Sequence, residues 1–399
     1  MQLQSNVNVQ LRYGVETVIG TASVAAGQQL RRVSSTLALS KDVYASNEVR
    51  PDLQVFDARH GVRKVGGNIQ GELSTKSYDD FIEAVLRGTW AAGASISQAT
   101  PAMSTATLAA ATGVSTGTLT ASTGSFLTAG LRVGDVFRLT GLAGNTNKNF
   151  RIVALTANVA TVYPAPATIS AQPTWAMIVQ GKKLVPGLVG RSFTVEQNYP
   201  DLDISEQFLG CRVSTLAVAV PPTGLATVNF GLEGLNMATA TGAAAPVFAS
   251  PAAAAATDIL AGASGSLSIA GVPSAIVTGF DFSVTNNLSV QPVVGTNVVP
   301  DIFYGRLVVT GNISAFFDSL TMLNAFLNET EFSLSFELDD ANGTDFMCFT
   351  FGRVKITGAN KTVGPDGGVI LSSPFQALLS SGVAGFDDGT LVIQRSNVA

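Results

Sequence analysis

Two short turns of this sequence are dense in carboxylates. Glu196, Asp201, Asp203 and Glu206 fall within EQNYPDLDISE, and Glu337, Asp339, Asp340 and Asp345 within ELDDANGTD. Paired carboxylates can exchange protons with a substrate or bind Ca2+. DDANGTD, however, lacks the twelve-residue loop and terminal Glu of an EF-hand, which leaves polar hairpin tips as the plainer reading. The single histidine, His60, sits in DARHGVRK beside Arg59, Arg63 and Lys64. One His excludes a histidine metal cluster, and no Ser or Cys has an evident neighbouring base. His60 therefore reads as a loop or inter-subunit residue rather than a general base. The basic cluster has Asp52 and Asp57 close by, which favours salt bridges to another subunit over phosphate binding.

Nucleotide motifs are absent: there is no GxxxxGK[ST], no GxGxxG, and the GKK at 181–183 lacks the upstream glycine spacing. Cys211 and Cys348 stand far apart without CxxC spacing, so neither a disulfide framework nor a zinc site is expected. The expectation is a protein that is not an enzyme and carries no cofactor or metal.

Composition bounds the class. Apolar residues make up 46% of the 399, charged residues only 13%, and there are 40 glycines. So weakly charged a chain suits β-rich structure that buries much of its surface against other copies. A net charge of −5 argues against an electrostatic grip on nucleic acid. The start MQLQSNVNVQL lacks the basic and apolar regions of a signal peptide, so synthesis in the cytoplasm is expected. The sequons at Asn287, Asn312, Asn328, Asn342 and Asn360 then read as chance or turn chemistry, not as glycosylation sites. Residues 88–131 and 234–280 hold almost no charge, but Gly, Ser, Thr and Pro interrupt them before a membrane span of about 20 apolar residues could form. They read as linkers and packed loops.

The elements that would position these residues repeat. Residues 67–73 alternate as a strand, with Ile69, Gly71 and Leu73 on one face and Asn68, Gln70 and Glu72 on the other. A helix follows, with Ser77 and Asp80 as a capping-box-like pair, an apolar stripe of Tyr78, Phe81, Ile82, Val85 and Leu86, and Gly88 as its stop. Gly311-Asn312-Ile313 repeats Gly67-Asn68-Ile69, Asp318 or Ser319 can cap, and LNAFLN matches IEAVLR. Each copy then has a Phe-led strand, an acidic turn, and a strand carrying Phe-x-x-x-Arg-Val: Phe208 to Val213 and Phe349 to Val354. PPTG (221–224) and GPDGG (364–368) turn each chain into a further strand. The order implies an internal duplication.

The first copy alone holds about a hundred residues between helix and hairpin. The fold expected is mainly β (α+β): a first domain from 1–104 and 181–245, an inserted all-β lobe at 105–180 that projects outward, a low-charge linker at 246–276, and a second domain at 277–399. Residues 41–67 are expected as an extended loop, with a shorter counterpart at 286–307.

The stretch 46–90 resembles the N-terminal half of the major tail tube proteins of long, non-contractile-tailed (siphovirus-type) bacteriophages. The likeness rests on Ser46, Glu48, Arg50 and Asp52, the Arg-His-Gly turn, the Gly-x-Ile-x-Gly-Glu-Leu strand and the helix with its trailing Gly. It extends less distinctively over 190–235, reaches the second copy by internal homology, and leaves 105–180 uncovered. The resemblance implies β-sandwiches flanked by a helix, assembled into stacked rings around a channel that delivers DNA to the host. It implies tape-measure, tail-tip and tail-terminator proteins as partners, a place in the virion tail, and no membrane. Six single-domain subunits are common in the family, so two copies per chain imply a homotrimeric, pseudo-sixfold ring. The loop residues Ser46, Glu48, Arg50, Asp52, Asp57, Arg59, His60, Arg63 and Lys64 would contact other subunits or rings. Glu196 and Glu337 would face the channel, where a neutral or acidic wall lets DNA slide. A virion surface or adhesion protein is the alternative, but it leaves the tandem strand–helix–hairpin unexplained.

Overall fold

A computed structural model describes residues 3–97, 103, 105–111, 115–340 and 345–397. Nearly half are in antiparallel strands, and among them are two short α-helices. The first half holds β1 (Gln10–Val15), β2 (Ala38–Ala45), β3 (Ala58–Glu72), α1 (Asp79–Leu86), β4 (Phe193–Tyr199), β5 (Ile204–Val220), β6 (Thr227–Gly234) and β7 (Asn236–Thr241). The second holds β8 (Gly265–Ile269), β9 (Val277–Thr285), β10 (Val308–Phe316), α2 (Thr321–Leu327), β11 (Phe332–Asp339), β12 (Phe346–Ile356), β13 (Ile370–Leu378) and β14 (Val392–Arg395).

Strand pairing follows one order in both halves. β1 pairs with β4, β4 with β5, β5 with β6, β6 with β3 and β3 with β2, while β7 lies beside β5. Likewise β8 pairs with β11, β11 with β12, β12 with β13, β13 with β10 and β10 with β9, while β14 lies beside β12. The halves join where β5 pairs with β9, from Thr215 opposite Thr285 to Val220 opposite Phe280. One sheet therefore runs through both. On its inner face Ile69, Phe230, Leu216, Val284, Val309, Ala377 and Val354 are successive cross-strand neighbours, and all are buried. Alternation along each strand puts every second side chain into this core.

The helix α1 closes the first core with Phe81, whose ring centroid lies 4.9 Å from those of Tyr13 and Phe193. Gly71 makes room for the helix: a Cβ there would lie 1.9 Å from the Tyr78 hydroxyl. The expected capping box does not form. No side chain caps the helix, and the Ser77 hydroxyl instead accepts a hydrogen bond from Ser74 at 2.7 Å. Nor does Gly88 stop it; Arg87, left-handed at φ 54°, ends the helix one residue earlier. In α2, too, neither Asp318 nor Ser319 caps the helix, and no residue of it is buried, whereas α1 buries Phe81, Ile82, Ala84, Val85 and Leu86.

Residues 41–67 are not the extended loop expected. They form most of a β2–β3 hairpin, and only 46–57 is loop. Toward its tip, past Gly61, the hairpin is largely exposed on both faces, so no apolar alternation marks its strands. The stretch 246–276 is no linker either. It contains β8 and the short strand Val272–Ser274, and it buries Phe248 and Leu260. Of the two low-charge stretches, 98–102, 104 and 112–114 lie outside the described residues, as do Asn342 and the rest of the acidic turn 341–344.

A separate sheet is formed by strands between Ser95 and Val179, over a core of its own that includes Phe126, Phe137, Phe150 and Trp175. It rests on the second half. The fully buried Arg151 guanidinium donates to Ser266 O (3.0 Å) and Ser268 Oγ (2.9 Å) of β8 and lies 3.2 Å from Glu337 Oε2 of β11. Gln394 of β14 exchanges two hydrogen bonds with the backbone of Val136, each 2.8 Å. Lys183 bridges Asp135 (2.5 Å) and Asp387 (2.7 Å).

Candidate functional site

The same alternation that builds the core sets the character of the sheet's open face. There Ser34, Gln70, Asn229, Ala217, Ser283, Thr310, Gln376 and Lys355 stand opposite one another in turn, crossing both halves. Only Lys355 among them is charged. A neighbouring row runs Glu72, Thr227, Ala219, Asp281, Asn312, Pro374. Burial raises the carboxyls of Glu233 and Asp281 on this face, with a hydrogen bond from Asn312 opposing it at Asp281. The face is thus broad, small-residued and nearly neutral. It offers hydrogen bonds but no nucleophile–base pair, and too little positive charge to hold a polyanion. Among the described residues no group of His, Cys, Asp or Glu is placed to hold a metal ion.

Glu196 and Glu337, expected on a channel wall, are inside the protein. Glu196 is 0% exposed; it accepts hydrogen bonds from Ser205 Oγ and from the backbone N–H groups of Val247 (2.6 Å) and Phe248 (3.1 Å), with Arg12 3.8 Å away. Glu337 is spent on Arg151. Each carboxylate compensates a buried partner, which explains its position on an otherwise alternating strand. Three of the other turn acids also hold the fold: Asp201 accepts from Ser5 N (2.9 Å) and Asn8 Nδ2 (3.0 Å), Glu206 from Tyr199 (3.0 Å), and Asp345 from Ser396 (2.5 Å). Both cysteines are buried and free, and burial pushes the Cys348 thiol up to about 12.

The loop candidates stay together on the β2–β3 hairpin. Ser46 and Glu48 lie in its loop, where Arg50 pairs with Asp52 (3.0 Å). Asp57 pairs with Arg59 (3.1 Å) and Lys64 with Asp42 (3.5 Å), so these charges are first used within the hairpin. Arg63 turns back to Asn236 Oδ1 at 2.9 Å. His60 is exposed, as are Val43, Tyr44, Val49, Leu53, Val55 and Phe56 around it. Nothing local in the sequence distinguishes these exposed apolar side chains from buried ones. The open-face residues could have been found: Asn68, Gln70 and Glu72 already stood opposite Ile69 and Leu73 in the alternation.

Open strand edges lie at both ends of this face. Among the described residues, β2 and Ser34–Ser35 pair only with β3, and Asn360–Thr362, which extends the line of β12, pairs only with β13. Among the described residues no helix is long and apolar enough to cross a membrane. Among curated proteins none matches the chain. The model of the family described as phage tail tube protein matches residues 6–377. A nearly neutral sheet face, unpaired edges and this match agree: the chain belongs to the phage tail tube protein family and is a structural protein of the phage tail.

Proposed function

We propose that the chain is a fused pair of tube units, three copies of which close into a ring, and that stacked rings form the DNA channel of a long, non-contractile tail. The observation that carries this is the sheet shared through β5 and β9. Each half has the same pairing order, and the internal joint uses the edges whose counterparts, β2 and 360–362, are left open. A heterologous contact of this kind, repeated with rotation, closes a ring. The first unit comprises 1–92 with 181–245, and the lobe, whose sheet begins at Ser95 rather than at 105, stands outside the ring. The second unit spans 277–399 and takes β8, at 265–269, as its first strand.

The nearly neutral open face would line the bore, in place of the carboxylates first expected there. Few cations and small side chains let a polyanion pass without a sequence of strong phosphate contacts. The hairpin tip at 46–54 would reach the adjacent ring. A tape-measure protein would occupy the bore before DNA does, and tip and terminator proteins would close the ends. Cryo-electron microscopy of the assembled protein tests the reading: three chains per ring are expected, with Gln70, Asn229, Ser283 and Thr310 facing the bore. Six chains per ring, or these residues on the outside, would refute it.

A further inference from the structure

The joint between the halves shows what a joint between chains would look like. Within the chain, the β9–β10 hairpin folds over the first half. Asp301 Oδ1 lies 3.0 Å from Arg212, the Tyr304 ring lies 4.7 Å from the same guanidinium and 5.5 Å from that of Arg87, and Asn286 Nδ2 donates to Val85 O at 2.9 Å. Val299 is only 2% exposed, against Leu235. Aligning Gly311-Asn312-Ile313 with Gly67-Asn68-Ile69 places Asp57 at Asp301, Val55 at Val299, His60 at Tyr304 and Gly61 at Gly305. The Phe-x-x-x-Arg-Val motifs place Arg353 at Arg212, and the helices place Leu327 at Leu86.

Each counterpart is bare. Val55 is 70% exposed and Leu327 is 65% exposed, where Leu86 is 0%. Asp57 and Arg353 are held by exposed, local contacts: Asp57 by Arg59 and the Ala58 N–H, Arg353 by Glu331 and the Leu379 carbonyl. The chain therefore carries both halves of a second joint, unmated and far apart. We infer that the β2–β3 hairpin of one copy docks on α2 and Arg353 of the next, with Asp57 taking the place of Asp301 and His60 that of Tyr304. This rests on the tandem-ring reading and names its contact. The occupant is a second copy because the hairpin matches, position by position, one that already fills this seat. Local ion pairs at the surface are worth little, so exchanging them for the joint is not a barrier.

The test is a charge swap read by negative-stain microscopy and sedimentation, with circular dichroism verifying the fold. Asp57→Arg and Arg353→Asp, each alone, are expected to cut the assembled fraction at least about tenfold, since like charges then face across the joint. The double variant is expected to restore it. Leu327→Ser, at an exposed position, should cause a similar loss without touching a charge. Single variants that assemble normally, or a double variant that stays dispersed while the wild type forms rings, overturn the inference. A wild-type chain that never self-associates overturns it together with the ring reading. Mixing the two single variants separates the joint from the count of three. Alternating chains satisfy every joint in an even ring but leave one repulsive joint in a ring of three. Closed rings from the mixture would thus support the joint and refute the trimer.

Discussion

Replacing Arg151 by Met removes one charge from a site where two are buried together. The side chain is 0% exposed, gives hydrogen bonds to Ser266 and Ser268, and lies 3.2 Å from the Glu337 carboxylate, which has no other cation within ion-pair distance. Methionine fills much of the volume but leaves the buried Glu337 carboxyl without its cation. The expected cost is about 3–5 kcal/mol at neutral pH, the range for breaking a buried pair from one side. Arg151→Met/Glu337→Gln removes both charges and should recover all but about 1–2 kcal/mol, because pairs replaced together are close to neutral. Urea unfolding followed by tryptophan fluorescence reads the effect, since Trp175 is in the core of the lobe that Arg151 anchors. Burial raises the Glu337 carboxyl and Arg151 opposes it, so acidification should shrink the penalty of the single variant. A single variant costing under about 1 kcal/mol, or a double variant no better than the single, would show that Arg151 acts by packing and not by charge.

Asp339 is pushed up from 3.8 to about 8, first by burial and then by Glu337, with Arg151 opposing and Asp340 adding a smaller push. A carboxyl raised on folding stabilises fully below its unfolded value, and that contribution is lost as pH rises through its folded one. The urea midpoint should therefore fall between about pH 4 and pH 8, and Asp339→Asn should flatten the decline. Phe81→Ala should cost about 3–5 kcal/mol in thermal or urea unfolding, whereas Phe326→Ala in the exposed α2 should cost under about 1 in the isolated chain. Gly71→Ala would press on the fully buried Tyr78 and is expected to cost about 1–3 kcal/mol by the same measurement.

Much of the local architecture was legible in the residues. The split of Ile69 and Leu73 from Asn68, Gln70 and Glu72 is the split between core and open face. The stripe on α1 and the Phe-led hairpins at Phe193–Tyr199 with Ile204–Val220 and Phe332–Asp339 with Phe346–Ile356 also follow from periodicity. Reading failed where periodicity carries no signal. Toward its tip the β2–β3 hairpin is largely exposed on both faces, and it looked like loop. β8 is built of Gly, Ser, Leu and Ile within a low-charge stretch and looked like linker. Glu196 and Glu337 alternate as surface residues do, and partners distant in the chain hold them inside: Arg12 and the Val247 and Phe248 N–H groups for Glu196, Arg151 for Glu337.

By itself the sequence determined which faces are apolar and that a strand, helix and hairpin recur in order, because side-chain alternation is a local property. It could not determine that Thr215–Val220 lies against Phe280–Thr285, since pairing between distant strands depends on the register that the whole core imposes. Nor could it tell that Leu86 and Leu327, alike in their helices, differ in burial. The segment after the lobe folds over the end of α1, where Gly187 N–H donates to Leu86 O, and Asn286 of the second half adds a hydrogen bond to Val85 O, whereas among the described residues none buries Leu327.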